Sequence, residues 1–360
     1  MKTYANLYAE LCSMKNLILA FKKARKRKTK LSYVKKFEER LIENLRELQK
    51  ELVNQTYKPF KLKEIIIREP KIRKICKSIF KDRIVHHALI NIIGEIFEKT
   101  FIYDSFASQK GKGQHKALER FEFFKRKISN NGKRLQGIKD NNYVQGYCFK
   151  ADIEKYFDNV NHNLLIQIIE EKIKDREIIW LIKQILKNYS CSKGKGMPLG
   201  NYTSQFFANI YLNKLDYFVK HQLRCKYYIR YVDDFVILHK TKEQLQKWED
   251  KIDLFLKKEL RIKLHKNKSQ VVSLHKGIKF LGFRIFYYYR ILRKSNINHL
   301  RNQLQDWKLL YDENLISYKK IIERLEGWFV HAKHGNTHNL RKKILKEFNE
   351  NHLTKPQIQV

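Results

Sequence analysis

The residues that most restrict what this chain can become are Tyr231-Val232-Asp233-Asp234. They are flanked by Tyr227-Tyr228-Ile229-Arg230 and by Phe235-Val236-Ile237-Leu238. Both flanks are β-branched and aromatic, which predicts two buried strands with the acidic pair where they turn back. Adjacent carboxylates fixed by apolar strands repel each other. A divalent cation would remove that cost, and hard oxygen ligands suit Mg²⁺. Asp also favours turns for its own sake, so the tetrad alone leaves turn chemistry and metal binding equally open.

A third carboxylate decides between them. The run Phe149-Lys150-Ala151-Asp152-Ile153-Glu154-Lys155-Tyr156-Phe157-Asp158 resembles motif A of the template-dependent polymerases with a right-hand shape. Tyr231 to Asp234 then resembles motif C of reverse transcriptases, the Tyr-x-Asp-Asp box. The resemblance implies an α+β fold, a right-hand polymerase with palm sheet, interleaved fingers and helical thumb, acting as an RNA-directed DNA polymerase. By it Asp152, Asp233 and Asp234 are catalytic, and with the Ile153 carbonyl they hold two Mg²⁺ ions. One ion activates the primer 3′-hydroxyl and the other holds the triphosphate and the leaving pyrophosphate.

Charge points to the same kind of partner. The 360 residues include 76 basic and 37 acidic side chains, a net charge of +39. A solvated surface does not need that imbalance, so a polyanion is expected. No apolar run approaches the ~20 residues of a spanning helix, and no secretory segment opens the chain, so no membrane is expected. The five cysteines, Cys12, Cys76, Cys148, Cys191 and Cys225, lie far apart and form no C-x-x-C pair. That argues for a reducing cytoplasm, in a bacterial or phage-encoded setting, and against a zinc knuckle.

Taken in order, residues 1–60 read as a basic helical N-terminal extension. Apolar side chains recur at Phe37, Leu41, Leu45, Leu48 and Leu52, and seven basic residues crowd Lys22 to Lys30 without an acidic one nearby. An RNA backbone accounts for this run better than an uncompensated solvated face. Residues 61–145 read as fingers. There the resemblance implies a basic hairpin that puts Arg73 on the incoming triphosphate, with Lys71 and Arg83 nearby, guanidinium being able to bind phosphate in a bidentate way. Gly111-Lys112-Gly113 matches the second reverse transcriptase block, a loop whose backbone could approach primer or template phosphates. Asn130 to Tyr143 reads as a loop.

Residues 146–289 read as palm, with a fingers insertion around 164–195 in which Leu164 to Leu186 is one amphipathic helical stretch. Phe157 falls where the family places a bulky gate against a ribose 2′-hydroxyl, which implies dNTP substrates; a core aromatic is the plain alternative. Gly196-Met197-Pro198-Leu199-Gly200-Asn201-Tyr202-Thr203-Ser204-Gln205 resembles motif B, so Leu199, Gly200 and Gln205 join the nucleotide-binding set, and Tyr231 faces the primer. Leu264 to Ser269 resembles motif D, whose lysine, Lys266 or Lys268, would protonate the leaving pyrophosphate. Leu281-Gly282 in Ile278 to Phe283 resembles the primer grip, a strand pair. Residues 290–360 read as a helical, basic thumb. His331, His334 and His338 there invite a zinc reading that Gly335-Asn336 and the lack of a nearby Cys oppose.

Motif B separates subgroups. Most reverse transcriptases have Gln before the second Gly, and group II intron and retron enzymes commonly end the motif in Ser-Pro. This chain has Leu199 and Ser204-Gln205, and resembles the reverse transcriptases of diversity-generating retroelements, the match extending to Asn213. Such enzymes copy a template-repeat RNA into cDNA with errors at adenine, and work with a small basic accessory variability protein that forms an oligomeric barrel. The alternatives are a retron- or defence-type reverse transcriptase, and an intron maturase that scaffolds RNA without needing the metal site. The stretch after Leu281-Gly282 is too short for an RNase H or HNH domain, which disfavours retroviral and self-mobile intron proteins.

Overall fold

A computed structural model describes residues 2–68, 72–133 and 143–352. Lys71, most of the loop read over Asn130 to Tyr143, and the last residues of the thumb lie outside the described residues.

Four helices open the chain: α1 (Tyr8–Cys12), α2 (Met14–Arg25), α3 (Ser32–Glu39) and α4 (Leu41–Val53). A hairpin of β1 (Lys63–Ile67) and β2 (Arg73–Lys77) leads into α5 (Phe80–Glu98) and α6 (Gln114–Ile128). Then come β3 (Tyr147–Asp152), α7 (Tyr156–Asn159), α8 (His162–Glu170), α9 (Arg176–Lys187) and α10 (Tyr202–Tyr217). The strands β4 (Tyr228–Tyr231) and β5 (Asp234–His239) precede α11 (Lys242–Glu259) and β6 (Gln270–Ser273). Three short strands, β7 (Ile278–Phe280), β8 (Phe283–Ile285) and β9 (Arg290–Leu292), precede α12 (Lys294–Asp312), α13 (Tyr318–Ala332) and α14 (His338–His352). The class is α+β, with one four-stranded sheet in the order β4-β5-β3-β6, a two-stranded β1-β2 and a three-stranded β7-β8-β9.

The chain forms two compact units. One comprises Met1–Gly113, Lys150–Ile237 and Gln246–Gln270, and the other Gln114–Phe149, Leu238–Leu245 and Val271–Val360. In the first, α2 packs on α5 through Leu17, Ala20, Phe21 and Ala24, all buried with Ile84, Val85, Ala88 and Leu89. The N-terminal helices are thus part of this core, while Lys22, Lys23, Lys26, Arg27 and Lys30 stay exposed. Helix α10 is buried nearly all round, from Thr203 to Asp216, which is why it shows no polar face.

One expectation fails here. Leu164 to Leu186 is not one helix but α8 and α9. Asp175 ends the run by capping α9, its Oδ1 accepting from Glu177 N and Ile178 N, both at 3.0 Å. Its Oδ2 accepts from Leu7 N and Tyr8 N, at 2.6 and 3.0 Å, tying the first helix to the same break. A capping carboxylate with four backbone donors outweighs the apolar periodicity that runs across it.

In the second unit α12, α13 and α14 pack through Leu300, Leu304, Trp307, Ile321, Leu325, Ile344 and Phe348. Residues 333–337, containing Gly335-Asn336, separate α13 from α14, as the sequence implied. Leu281-Gly282 forms the tight turn between β7 and β8, both residues at positive φ, and the Leu281 carbonyl accepts from Gln114 Nε2 at 2.6 Å.

Candidate active site

The strands β4 and β5 form an antiparallel hairpin whose register pairs Tyr231 with Asp234, leaving Val232-Asp233 as a two-residue turn. Its flanks are apolar and nearly inaccessible, Tyr228, Ile229, Phe235, Val236 and Ile237 all being fully buried. Val232 takes φ +57°. For a β-branched residue that left-handed conformation costs ~1–3 kcal/mol and persists only where the surroundings impose it.

Because β3 lies beside β5 in the sheet, the end of β3 carries Asp152 to this turn. Beyond it Ile153 forms an antiparallel bridge to Leu264, with Glu154 N on Lys263 O at 2.9 Å and His265 N on Asp152 O at 2.7 Å. Neither bond uses the Ile153 carbonyl. The three carboxylates are half-buried. Burial, and next the negative charge of Asp152, push the Asp233 carboxyl above its ordinary range, while Lys268 and Arg73 pull it down. Lys268 Nζ lies 2.5 Å from Asp152 Oδ2, and Lys150 Nζ lies 3.8 Å from Asp234 Oδ1. The acidic turn is therefore ringed by cations from β3, the Leu264 to Ser269 loop and β2.

No group of three or more His, Cys, Asp or Glu side chains is drawn together in metal-binding geometry among the described residues. The donor chemistry nonetheless fits a hard divalent cation: the side-chain ligands are carboxylate oxygens only. His334 stacks on His115 at 3.5 Å between ring centroids, and His331 packs against Phe283.

Arg73 is exposed on β2, and its charge is felt at Asp233. The motif B turn is joined to the same strand. Leu199 O accepts from Cys76 N at 2.8 Å, and a Cβ on Gly200, at φ +118°, would come within 2.7 Å of the Ile75 side chain and 3.1 Å of the Cys76 carbonyl. Only glycine permits that approach. Phe157 is half-buried and its carbonyl accepts from Met197 N at 2.7 Å, so it abuts the turn instead of filling the core; its neighbour Tyr156 is the buried aromatic. Gln205 is exposed and accepts from Ser108 Oγ at 3.3 Å.

Lys112 and Arg83 have partners of their own away from the carboxylates. Lys112 Nζ donates to three backbone carbonyls, Ile102 at 3.3 Å, Tyr103 at 2.8 Å and Ser105 at 2.8 Å, and sits over the Tyr103 and Phe106 rings. An ammonium has three protons, so this lysine's donors go to its own loop; burial pushes it down from its usual value. The open side of the loop is backbone, since nothing approaches a Cβ at Gly111 or Gly113. Arg83, in turn, donates from Nε to Ser78 O at 2.9 Å and from Nη1 to Tyr33 Oη at 3.2 Å. It lines a cleft of about 310 Å³ with Lys28, Lys77, His87, Gly200 and Tyr202, and its bonds are there, not at the carboxylates.

The sequence reading missed Lys150 and the buried pair of Arg230 and Asp216. The pair had a signal: a charged residue, Arg230, stands inside an otherwise apolar strand.

Carboxylates on adjacent strand ends with cations around them are an arrangement suited to a divalent cation. The family model for reverse transcriptase (RNA-dependent DNA polymerase) matches residues 63–285, more than half of the chain, which belongs to that family. Protein YkfC of Escherichia coli is 24% identical over 303 residues, 73% of this chain and 75% of that protein. The group II intron-encoded protein LtrA of Lactococcus lactis is 25% identical over 327 residues, 71% of this chain and 51% of LtrA, so the chain spans about half of LtrA's length. The retron Ec48 reverse transcriptase of Escherichia coli is 26% identical over 188 residues, 49% of this chain and 44% of that protein.

Proposed function

We propose that this chain is an RNA-directed DNA polymerase of the diversity-generating retroelement kind, copying a template-repeat RNA into cDNA with errors at adenine. The observation that carries the polymerase reading is the approach of Asp152 to Asp233, whose carboxyl is raised by burial and next by the Asp152 charge, in a protein of net charge +39. Asp152, Asp233, Asp234 and the Ile153 carbonyl are the groups that would hold Mg²⁺. Bound there, the ions supply activation of the primer 3′-hydroxyl and neutralise charge on the departing pyrophosphate.

The chain's own residues do the rest. Arg73 orients the triphosphate, its planar fork suiting phosphate oxygens. Phe157, half-buried beside the motif B turn, excludes a 2′-hydroxyl and so selects dNTPs. Lys268 carries the proton nearest the site and gives it to the leaving group. Right-hand domain boundaries at 60, 145 and 289 accompany this reading, as do Lys71 at the nucleotide, Gly111, Gly113, Tyr231, Leu281 and Gly282 along primer and template, and a basic accessory barrel protein. No described helix is long and apolar enough to cross a membrane. The proposed setting is a bacterial cytoplasm.

The subgroup rests on Leu199 and Ser204-Gln205 in motif B. A second reading, a retron or group II intron enzyme, is favoured by the relatives named above. Purified protein given Mg²⁺, dNTPs and a primed adenine-containing RNA separates them. Extension with errors concentrated opposite template adenines is expected. Accurate copying would favour the retron or intron reading, and RNA binding without extension a maturase-like scaffold.

A further inference from the structure

A fully buried charge beneath the acidic turn has no role in the chemistry above. The Arg230 and Asp216 side chains are both 0% exposed. Asp216 Oδ1 accepts from Arg230 Nε at 2.7 Å and from Tyr228 Oη at 2.7 Å, and Oδ2 from Arg230 Nη2 at 2.6 Å. A buried ion pair is a weak source of stability, because apolar residues of similar volume commonly replace it without loss. What an apolar pair cannot do is donate hydrogen bonds. Guanidinium has five N–H donors. Two go to Asp216, and the others reach Asn209 Oδ1 at 3.1 Å, Ser105 Oγ at 3.1 Å and Val232 O at 3.0 Å.

The last bond is the informative one. Val232 is the left-handed, β-branched residue of the turn, and its carbonyl belongs to the peptide that leads into Asp233. The Arg230 backbone is itself pinned, its N–H donating to Asp104 O and its carbonyl accepting from Phe106 N, both at 3.0 Å. Arg230 therefore joins a rigid base, made of α10 through Asn209 and Asp216 and of the Ser105 loop, to the strained peptide that presents the carboxylate. We infer that Arg230 is a positioning residue: its Nη1 hydrogen bond to the Val232 carbonyl holds the turn in the conformation that aims Asp233 at Asp152, and Asp216 keeps that guanidinium in register. This rests on the reading of the turn as the metal-binding end of a polymerase site.

The test uses the full chain with Mg²⁺, dNTPs and a primed RNA. Arg230→Lys keeps Asp216 paired but lacks the fork that reaches Val232 as well. Arg230→Met with Asp216→Leu removes both charges at once, so that neither is stranded. Either variant should lower kcat roughly ten- to hundredfold, the range of one charge-assisted hydrogen bond. It should also raise the Mg²⁺ concentration at half-maximal rate, shrink the Mg²⁺-induced rise in Tm, and leave primer–template affinity unchanged. Adding Val232→Gly should restore part of the loss, since glycine adopts positive φ without being held there. A folded Arg230→Lys protein with unaltered kcat and Mg²⁺ response overturns the inference. So does a loss that Val232→Gly leaves untouched and that tracks melting temperature alone. Asp233→Asn serves as the control: if it extends primers normally, the polymerase reading itself fails, independently of Arg230.

Discussion

The chain carries two hairpins of similar local sequence and opposite fate. The hairpin β4-β5 and the hairpin β1-β2 are both antiparallel and both rich in β-branched residues. The first is sunk in the core, flanked by fully buried Tyr228, Ile229 and Phe235, and its two-residue turn is strained and tied down from below. In the second every residue of β1 is exposed, Ile66 by 66%, and Arg73 begins the partner strand in solvent. Burial makes one hairpin a fixed mount for charge. Exposure of Ile65, Ile66 and Ile67 leaves the other with apolar area that only a partner could cover. Under the proposed function, the fixed hairpin would hold the reacting centre and the open cationic arm would admit a nucleotide.

The largest effect is expected at the buried hairpin. Asp152→Ala or Asp233→Ala should reduce cDNA synthesis by about a thousandfold or more, metal-ion stabilisation being worth several kcal/mol, while RNA affinity holds. Extension on a primed RNA that survives either change would remove the assignment. Stability provides a second readout in metal-free protein. Because the folded Asp233 carboxyl is raised above its unfolded value, its contribution is fully present below about pH 4 and is lost as pH rises through the folded value. Asp233→Asn should therefore gain in Tm over the wild type as pH moves from acid to neutral, and Mg²⁺ should narrow the gap. Melting curves that stay parallel across pH would mean that burial and the Asp152 charge do not raise the Asp233 carboxyl.

At the exposed hairpin a smaller and differently distributed effect is expected. Arg73→Ala should raise the KM for dNTPs by roughly ten- to a hundredfold, the range of a hydrogen bond to a charged group, with Tm unchanged because the side chain is exposed. Steady-state kinetics on one RNA template measures it. A fall in Tm with KM intact would show that β1-β2 is held by its own packing and does not serve the nucleotide.

The same contrast explains what the sequence could and could not reveal. Strand, turn and strand around Asp233-Asp234 were legible because burial enforces an apolar pattern on both sides of an acidic pair. The helical character of the segment after residue 290 was legible too, and the strand pair around Leu281-Gly282 followed from that stretch's resemblance to a known block, whereas helix α5 was not read from the sequence. Lys112 was not, because three backbone carbonyls consume its ammonium and no local pattern announces which carbonyls a loop will expose. Nor was the break at Asp175, where a cap overrides periodicity. Arg83 was assigned by its place in a motif, yet Tyr33, which accepts its hydrogen bond, comes from α3, whose packing no short motif encodes.

The smallest effect lies where the two hairpins are joined. The motif B turn is hydrogen-bonded to β2 through Leu199 O and Cys76 N and packed on it at Gly200, so the residue at 199 is coupled to the open arm. In relatives with Gln there, the side-chain amide can bond near the sugar of the incoming nucleotide when the new pair has correct geometry. Leucine offers neither donor nor acceptor, so that discrimination is absent. A neutral hydrogen bond is worth ~0.5–1.5 kcal/mol net, a factor of about two to ten, enough to raise errors without abolishing templating. Leu199 is only half-buried, which leaves an amide room to turn. Leu199→Gln should therefore lower misincorporation opposite template adenine by about two- to tenfold at little cost in rate. Sequencing cDNA made by both forms on one RNA measures this. Equal adenine error rates with catalysis intact would show that Leu199 only packs against the turn, and would move the source of infidelity to the exposed arm, where Arg73→Ala combined with Leu199→Gln could locate it.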